Sequence, residues 1–60
     1  MGEKLKAARL KAGLTQTELA EKIGISQQAV ARYENGGIEP RASMLKRLAE
    51  ALCCMMEELV

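Results

Sequence analysis

The sequence predicts an all-α fold, and three observations carry that prediction. Ala, Leu, Lys, Glu, Arg, Gln and Met dominate the composition, and all are good helix formers. Tyr33 is the only aromatic residue and Pro40 the only proline. Breakers at Gly13, Gly24, Gly36-Gly37 and Pro40 divide the chain into short segments, within which apolar residues recur at helical spacing.

The first segment runs from about residue 2 to residue 12. Leu5, Ala8 and Ala12 share one face, and Gly13 suits a left-handed helix end. The second opens on Thr15-Gln16-Thr17-Glu18, a capping box. In it the Thr15 hydroxyl caps the amide three residues on, while Glu18 reaches back. Leu19, Ala20 and Ile23 form its inner stripe, and Gly24 ends it. The third begins at Ser26, a good N-cap, and closes at Asn35-Gly36-Gly37. The fourth spans about 41–52, with Leu45, Leu48, Ala49 and Leu52 at i, i+3, i+4 and i+7. A short helical turn is expected over Met55 to Leu59.

At 60 residues the chain holds one small domain, expected over 1–60, with a thin core. Its local signals therefore have to agree with the fold, or a partner has to help. Histidine is absent, which removes the commonest general base and zinc ligand. Cys53 and Cys54 are adjacent and have no spaced partner pair, so neither a disulfide framework nor a zinc site is supported. No metal or cofactor is expected, and nothing pairs a nucleophile with a base, so no enzyme is expected. No apolar run approaches a membrane span. Neither a signal peptide nor a myristoylation pattern is present, since Lys6 stands where Ser or Thr is wanted. The expected setting is cytoplasmic.

The net charge of +1 does not by itself point to nucleic acid. Its distribution is uneven: Lys4, Lys6, Arg9 and Lys11 crowd the first eleven residues, and Glu50, Glu57 and Glu58 the last eleven. A directed field could follow from this, but for the charges alone ordinary solvated helix faces are the favoured reading.

The third segment is more specific. At 100° per residue, with Gln27 at zero, Ala31, Asn35, Gln28 and Arg32 fall between about 40° and 140°. Ala29, Tyr33 and Val30 fall between about 200° and 300°. One face docks on the core; the other presents two glutamines, an arginine and an asparagine beside a small alanine. Glutamine's paired donor and acceptor match the edge of adenine, and arginine's fork matches guanine. Solvated helices carry such residues too, so the spacing decides. With Gln16 as position one of a helix-turn-helix unit over about 16–35, small Ala20 is fifth and Gly24 ninth, while apolar Val30 and Tyr33 are fifteenth and eighteenth. The fifth is where the two helices cross, the ninth needs a positive φ, and the last two seat the second helix.

These residues resemble the phage repressor and Cro type of helix-turn-helix protein, the XRE family. The matches are Leu14-Thr15-Gln16-Thr17-Glu18-Leu19-Ala20, Gly24-Ile25-Ser26-Gln27-Gln28, Tyr33-Glu34-Asn35-Gly36, Pro40, and Leu45 through Leu52. They cover nearly the whole chain, and the recognition segment is most similar to lambdoid phage repressors. The resemblance implies a compact five-helix DNA-binding domain whose third helix enters the major groove of double-stranded DNA. It implies Gln27, Gln28, Ala31 and Arg32 as base readers. It implies Gln16, Ser26, Asn35 and Arg41 at the DNA backbone, with Gln16 also bracing the first reading glutamine. Arg9 and Glu34 match a structural ion pair. Lys6, Lys11, Lys46 and Arg47 are either further backbone contacts or solvated charge.

The sequence departs from the family after Leu52. A glycine stop and a Ser or Asp cap are usual there, and Cys53, Cys54 and Met55 stand in their place. Either Cys53 takes a strained turn, or the fourth and fifth helices run closer together. The Cys-Cys-Met-Met string is read as core filler or dimer contact, with Leu59 and Val60, rather than as a soft-metal site. The expected function is a sequence-specific transcriptional regulator, a repressor, acting as a homodimer on a near-palindromic operator and nucleoid-associated when bound. No segment remains for a separate sensor, so regulation is expected through abundance, dimerisation or a partner. The alternative is a protein-interaction module of antitoxin or coactivator type.

Overall fold

The computed structural model describes residues 2–59. Four α-helices follow one another: α1 (Gly2–Lys11), α2 (Gln16–Ile23), α3 (Gln27–Asn35) and α4 (Ala42–Ala51). A single 3-10 turn, Met56–Glu58, comes last. The five-helix expectation is therefore corrected to four α-helices and one turn. That turn closes by i→i+3 bonds, Glu58 N–H to the Met55 carbonyl and Leu59 N–H to the Met56 carbonyl, both 3.0 Å. Three residues are too few for α-helical i→i+4 closure.

The starts follow from local chemistry. Thr15 Oγ1 accepts from the Glu18 N–H at 3.0 Å, and Glu18 Oε1 accepts from the Thr15 N–H at 2.8 Å, so the capping box is complete. Ser26 Oγ accepts from the Ala29 N–H at 3.1 Å. Each cap satisfies helix amides that have no partner within the helix.

The ends share one device. After α1, α2 and α3 a glycine turns left-handed, at φ 76° for Gly13, 77° for Gly24 and 78° for Gly36. The next N–H then bonds back across the last turn, as Ile25 does to the Ala20 carbonyl at 3.0 Å. After α4 the same device is built on Cys53, at φ 54°, with Cys54 N–H reaching the Ala49 carbonyl at 3.0 Å. Of the two readings at this junction, the strained turn is the one adopted. Cys53 is the one non-glycine residue at positive φ among the described residues.

Leu5, Leu19, Val30, Leu48 and Leu59 are the most deeply buried side chains, joined by Ala20, Ile23, Leu45, Ala49 and Leu52. Leu59 is fully enclosed. It is therefore a core residue and not the dimer contact expected of the tail; Val60 lies outside the described residues. In α1 the inner side is mixed: Leu5 and Arg9 are buried and Ala8 is half-buried, while Ala12, expected on the same face, lies past the helix end and is exposed. Gly2 packs so closely on the end of α3 that a methyl group there would run into the Glu34 carbonyl. This lets the amino end of α1 meet the carbonyl end of α3.

Burial, then the Glu58 carboxylate and its hydrogen bond, then Cys53, push the Cys54 thiol above its ordinary range. The folded state thus favours the neutral thiol, and this favour is lost as pH rises past the ordinary thiol range. Replacing Cys53 with glycine removes the left-handed strain while keeping the turn. Cys53→Gly is expected to stabilise the fold by about 1 kcal/mol, raising the melting midpoint by roughly 4–8 °C. A midpoint at or below the parent's would contradict the strain.

Candidate nucleic-acid interface

The crossing of α2 and α3 positions the site. Leu19, Ala20 and Ile23 of α2 and Val30 of α3 are buried between the helices and the core. Ala20 is small enough to let the helices approach, and Gly24 supplies the reversal between them. Docked this way, α3 exposes Gln27, Gln28, Arg32 and Asn35, with Ala31 half-exposed among them. Val30 is buried, and Ala29 and Tyr33 are half-buried on the opposite side. The outward face therefore carries amide and guanidinium groups with a shallow centre.

A chain of hydrogen bonds runs from the interior to that face. Arg9 Nε donates to Glu34 Oε2 at 2.6 Å, and Nη2 donates to Oε1 at 3.2 Å. Their side chains are only 8% and 2% exposed. The remaining arm of the fork, Nη1, donates to the Leu14 carbonyl at 2.8 Å. Gln16 Nε2 donates to Glu34 Oε1 at 3.1 Å, and Gln27 Nε2 donates to Gln16 Oε1 at 2.6 Å. One ion pair thus joins α1, the loop before α2, α2 itself and α3.

Ser26 is exposed, and its hydroxyl is engaged in capping α3. Arg41 is exposed at the start of α4 and makes no side-chain cap bond. Lys6, Lys11 and Lys46 are exposed. Arg47 is not simply solvated: it donates to the Ile23 carbonyl at the end of α2 and lies beside Gly24. Sequence reasoning missed this brace of the helix-turn-helix turn, because nothing in the spacing of α4 distinguishes Arg47 from Lys46. Among the described residues, no three His, Cys, Asp or Glu side chains converge as metal ligands. Both cysteines are free thiols. No described helix is long and apolar enough to cross a membrane.

An open groove of about 660 Å³, with no α3 residue in its lining, lies between α1 and the α4 junction. Lys4, Ala7, Ala8, Lys11, Leu52 and Cys54 are among its lining residues.

The helix-turn-helix family model matches residues 5–59, from the first core leucine to the last. The chain belongs to the XRE-type helix-turn-helix family. Among its relatives is Repressor protein C2 of Salmonella phage P22, 33% identical over 60 residues, which cover all of this chain and 28% of the relative. The HTH-type transcriptional regulator ImmR of Bacillus subtilis is 41% identical over 49 residues, 82% of this chain and 39% of ImmR. The uncharacterized HTH-type transcriptional regulator YgzD of the same organism is 31% identical over 58 residues, 97% of this chain and 88% of YgzD. The chain therefore spans well under half of C2 and of ImmR, and most of YgzD.

In this family member the buried ion pair carries a direct consequence. Removing one partner leaves the other buried and charged, typically at a cost of about 3–5 kcal/mol. Arg9→Ala is expected to destabilise by an amount in that range, read as a fall in the urea midpoint. A midpoint within error of the parent's would show that the pair is not buried as described.

Proposed function

We propose that this chain is a sequence-specific DNA-binding transcriptional regulator, a repressor, that reads the major groove with α3. The observation that carries the reading is the outward face of α3. It holds exposed Gln27, Gln28 and Arg32 around half-exposed Ala31, and Gln27 is tied to Gln16 at the head of α2. Membership of the helix-turn-helix family and relatives named as repressors and transcriptional regulators support it.

On this reading Gln27, Gln28, Ala31 and Arg32 meet base edges. Gln16, Ser26, Asn35 and Arg41 meet the sugar-phosphate backbone, helped by the positive amino ends of α2 and α4. Backbone contacts set register and carry no sequence information. The chain acts as a homodimer on a near-palindromic operator, its two α3 helices about 34 Å apart, one turn of DNA. Its subunit contact is proposed at the exposed corner beyond α4, where Cys53 and Met55 face solvent. The setting is the cytoplasm, on the nucleoid when bound.

Selection of bound DNA from a random pool tests this. The expected result is a palindromic consensus with half-sites one turn apart. No enrichment would favour a protein-interaction module on the same fold. On the selected site, Gln27→Ala or Gln28→Ala is expected to cost about 1–3 kcal/mol while leaving random-sequence binding nearly unchanged. Arg41→Ala is expected to weaken both alike and to lower the slope of log affinity against log salt by about one. Equal losses on operator and random DNA for the glutamine variants would contradict their assignment as base readers.

A further inference from the structure

We infer that Glu34 is a specificity-determining positioning residue: its carboxylate fixes the orientation of the Gln16 amide, and through it the donor and acceptor that Gln27 offers to a base. The inference rests on the reading of Gln27 as a base-contacting residue given above.

An amide side chain has two orientations of nearly equal shape, differing only in which end is oxygen and which is nitrogen. At an open surface, water serves both. Gln16 is not in that position, because one end of its amide lies 3.1 Å from Glu34 Oε1. A carboxylate in an ion pair accepts and cannot donate, so that end has to be Nε2. The 2%-exposed Glu34 side chain leaves water little room to substitute for it. Arg9 keeps the carboxylate aimed, holding both of its oxygens and, with its third arm, the Leu14 carbonyl two residues before Gln16.

The other end of Gln16 is then Oε1, and it accepts from Gln27 Nε2 at 2.6 Å. One of the two N–H groups of Gln27 is thereby used. What remains for DNA is one N–H and the Oε1 acceptor, the complement of adenine N7 and N6–H. With Gln16 reversed, Gln27 would turn its oxygen inward and present two N–H groups, a pattern suited to the paired acceptors of guanine. A buried charge thus selects between two nearly isosteric arrangements at the surface, without touching DNA itself.

The experiment compares base preferences selected from a random DNA pool by the parent and by Glu34→Gln, whose amide can donate as well as accept. The parent is expected to prefer adenine over guanine by about tenfold at the base pair facing Gln27. E34Q is expected to bring the two within about threefold there, leaving the other base pairs unchanged. Gln16→Met cuts the same link with Arg9 and Glu34 intact and should give the same local loss, which guards against E34Q failing to fold. Folded variants whose preferences equal the parent's at every base pair would overturn the inference.

The side-chain amide ¹⁵N–¹H spectrum of the free protein supplies a readout without DNA. The Gln27 amide should move toward the position of a solvated glutamine in both E34Q and Gln16→Met. Should the parent enrich no sequence, the DNA reading fails on its own. The relay is then judged by the spectrum alone, and a Gln27 amide unmoved by both variants overturns it.

Discussion

The rest of the structure is organised around one buried ion pair. Arg9 and Glu34 lie 25 positions apart in the chain, and their contact brings α1 against the end of α3. Because Arg9 has a planar fork, it serves both carboxylate oxygens and still reaches the Leu14 carbonyl at the entrance to α2. Gly2 cooperates, since only a residue without a β-carbon fits against the Glu34 carbonyl. Such a pair is weak evidence of net stability, because desolvation offsets much of the attraction. Its worth here lies in orientation. It fixes where α3 ends, what Gln16 faces, and how Gln27 is held.

Around this centre the fold uses local devices suited to a small core. Side-chain caps start α2 and α3, and left-handed residues stop all four helices. Arg47 adds a clamp from α4 onto the last carbonyl of α2, beside the Gly24 reversal. The angle between α2 and α3 is therefore held on the inside by Ala20 and Val30 and at the turn by Arg47. A rigid α2–α3 unit is what a helix needs if it is to present side chains in fixed register to a rigid ligand.

Much of this was legible in the chain because it is local. Thr15 and Glu18 are three residues apart, so the capping box can be read directly, and the stripe of α4 repeats at helical spacing. The division of α3 into a polar and an apolar arc survives folding almost unchanged, since both arcs belong to one short helix. Contacts made across the fold were less legible. Arg9 looks like a surface residue, and only resemblance to a family pointed to its partner. Ala12 fits the apolar stripe of α1 yet is exposed, because the helix ends at Lys11 and Ala12 falls in the turn beyond it. Cys53 adopts a conformation that its own residue type disfavours, so no local preference announces it. Leu59 reads as a loose apolar tail until the turn at Met56–Glu58 delivers it to the core. The chemistry of the outward face of α3 was visible in the residue types. The wiring behind it was not, because hydrogen-bond direction depends on which atoms meet.

The role of the pair is best separated from its stability by replacing both members at once, Arg9→Met with Glu34→Leu, and measuring stability and base discrimination on the same protein. Apolar replacement of a whole buried pair is often neutral or stabilising, whereas loss of one partner is not. The double variant is therefore expected to melt within a few degrees of the parent and to bind its selected DNA with the preference at the Gln27 base pair lost. A double variant that discriminates as well as the parent would contradict the claim that this pair is kept for orientation.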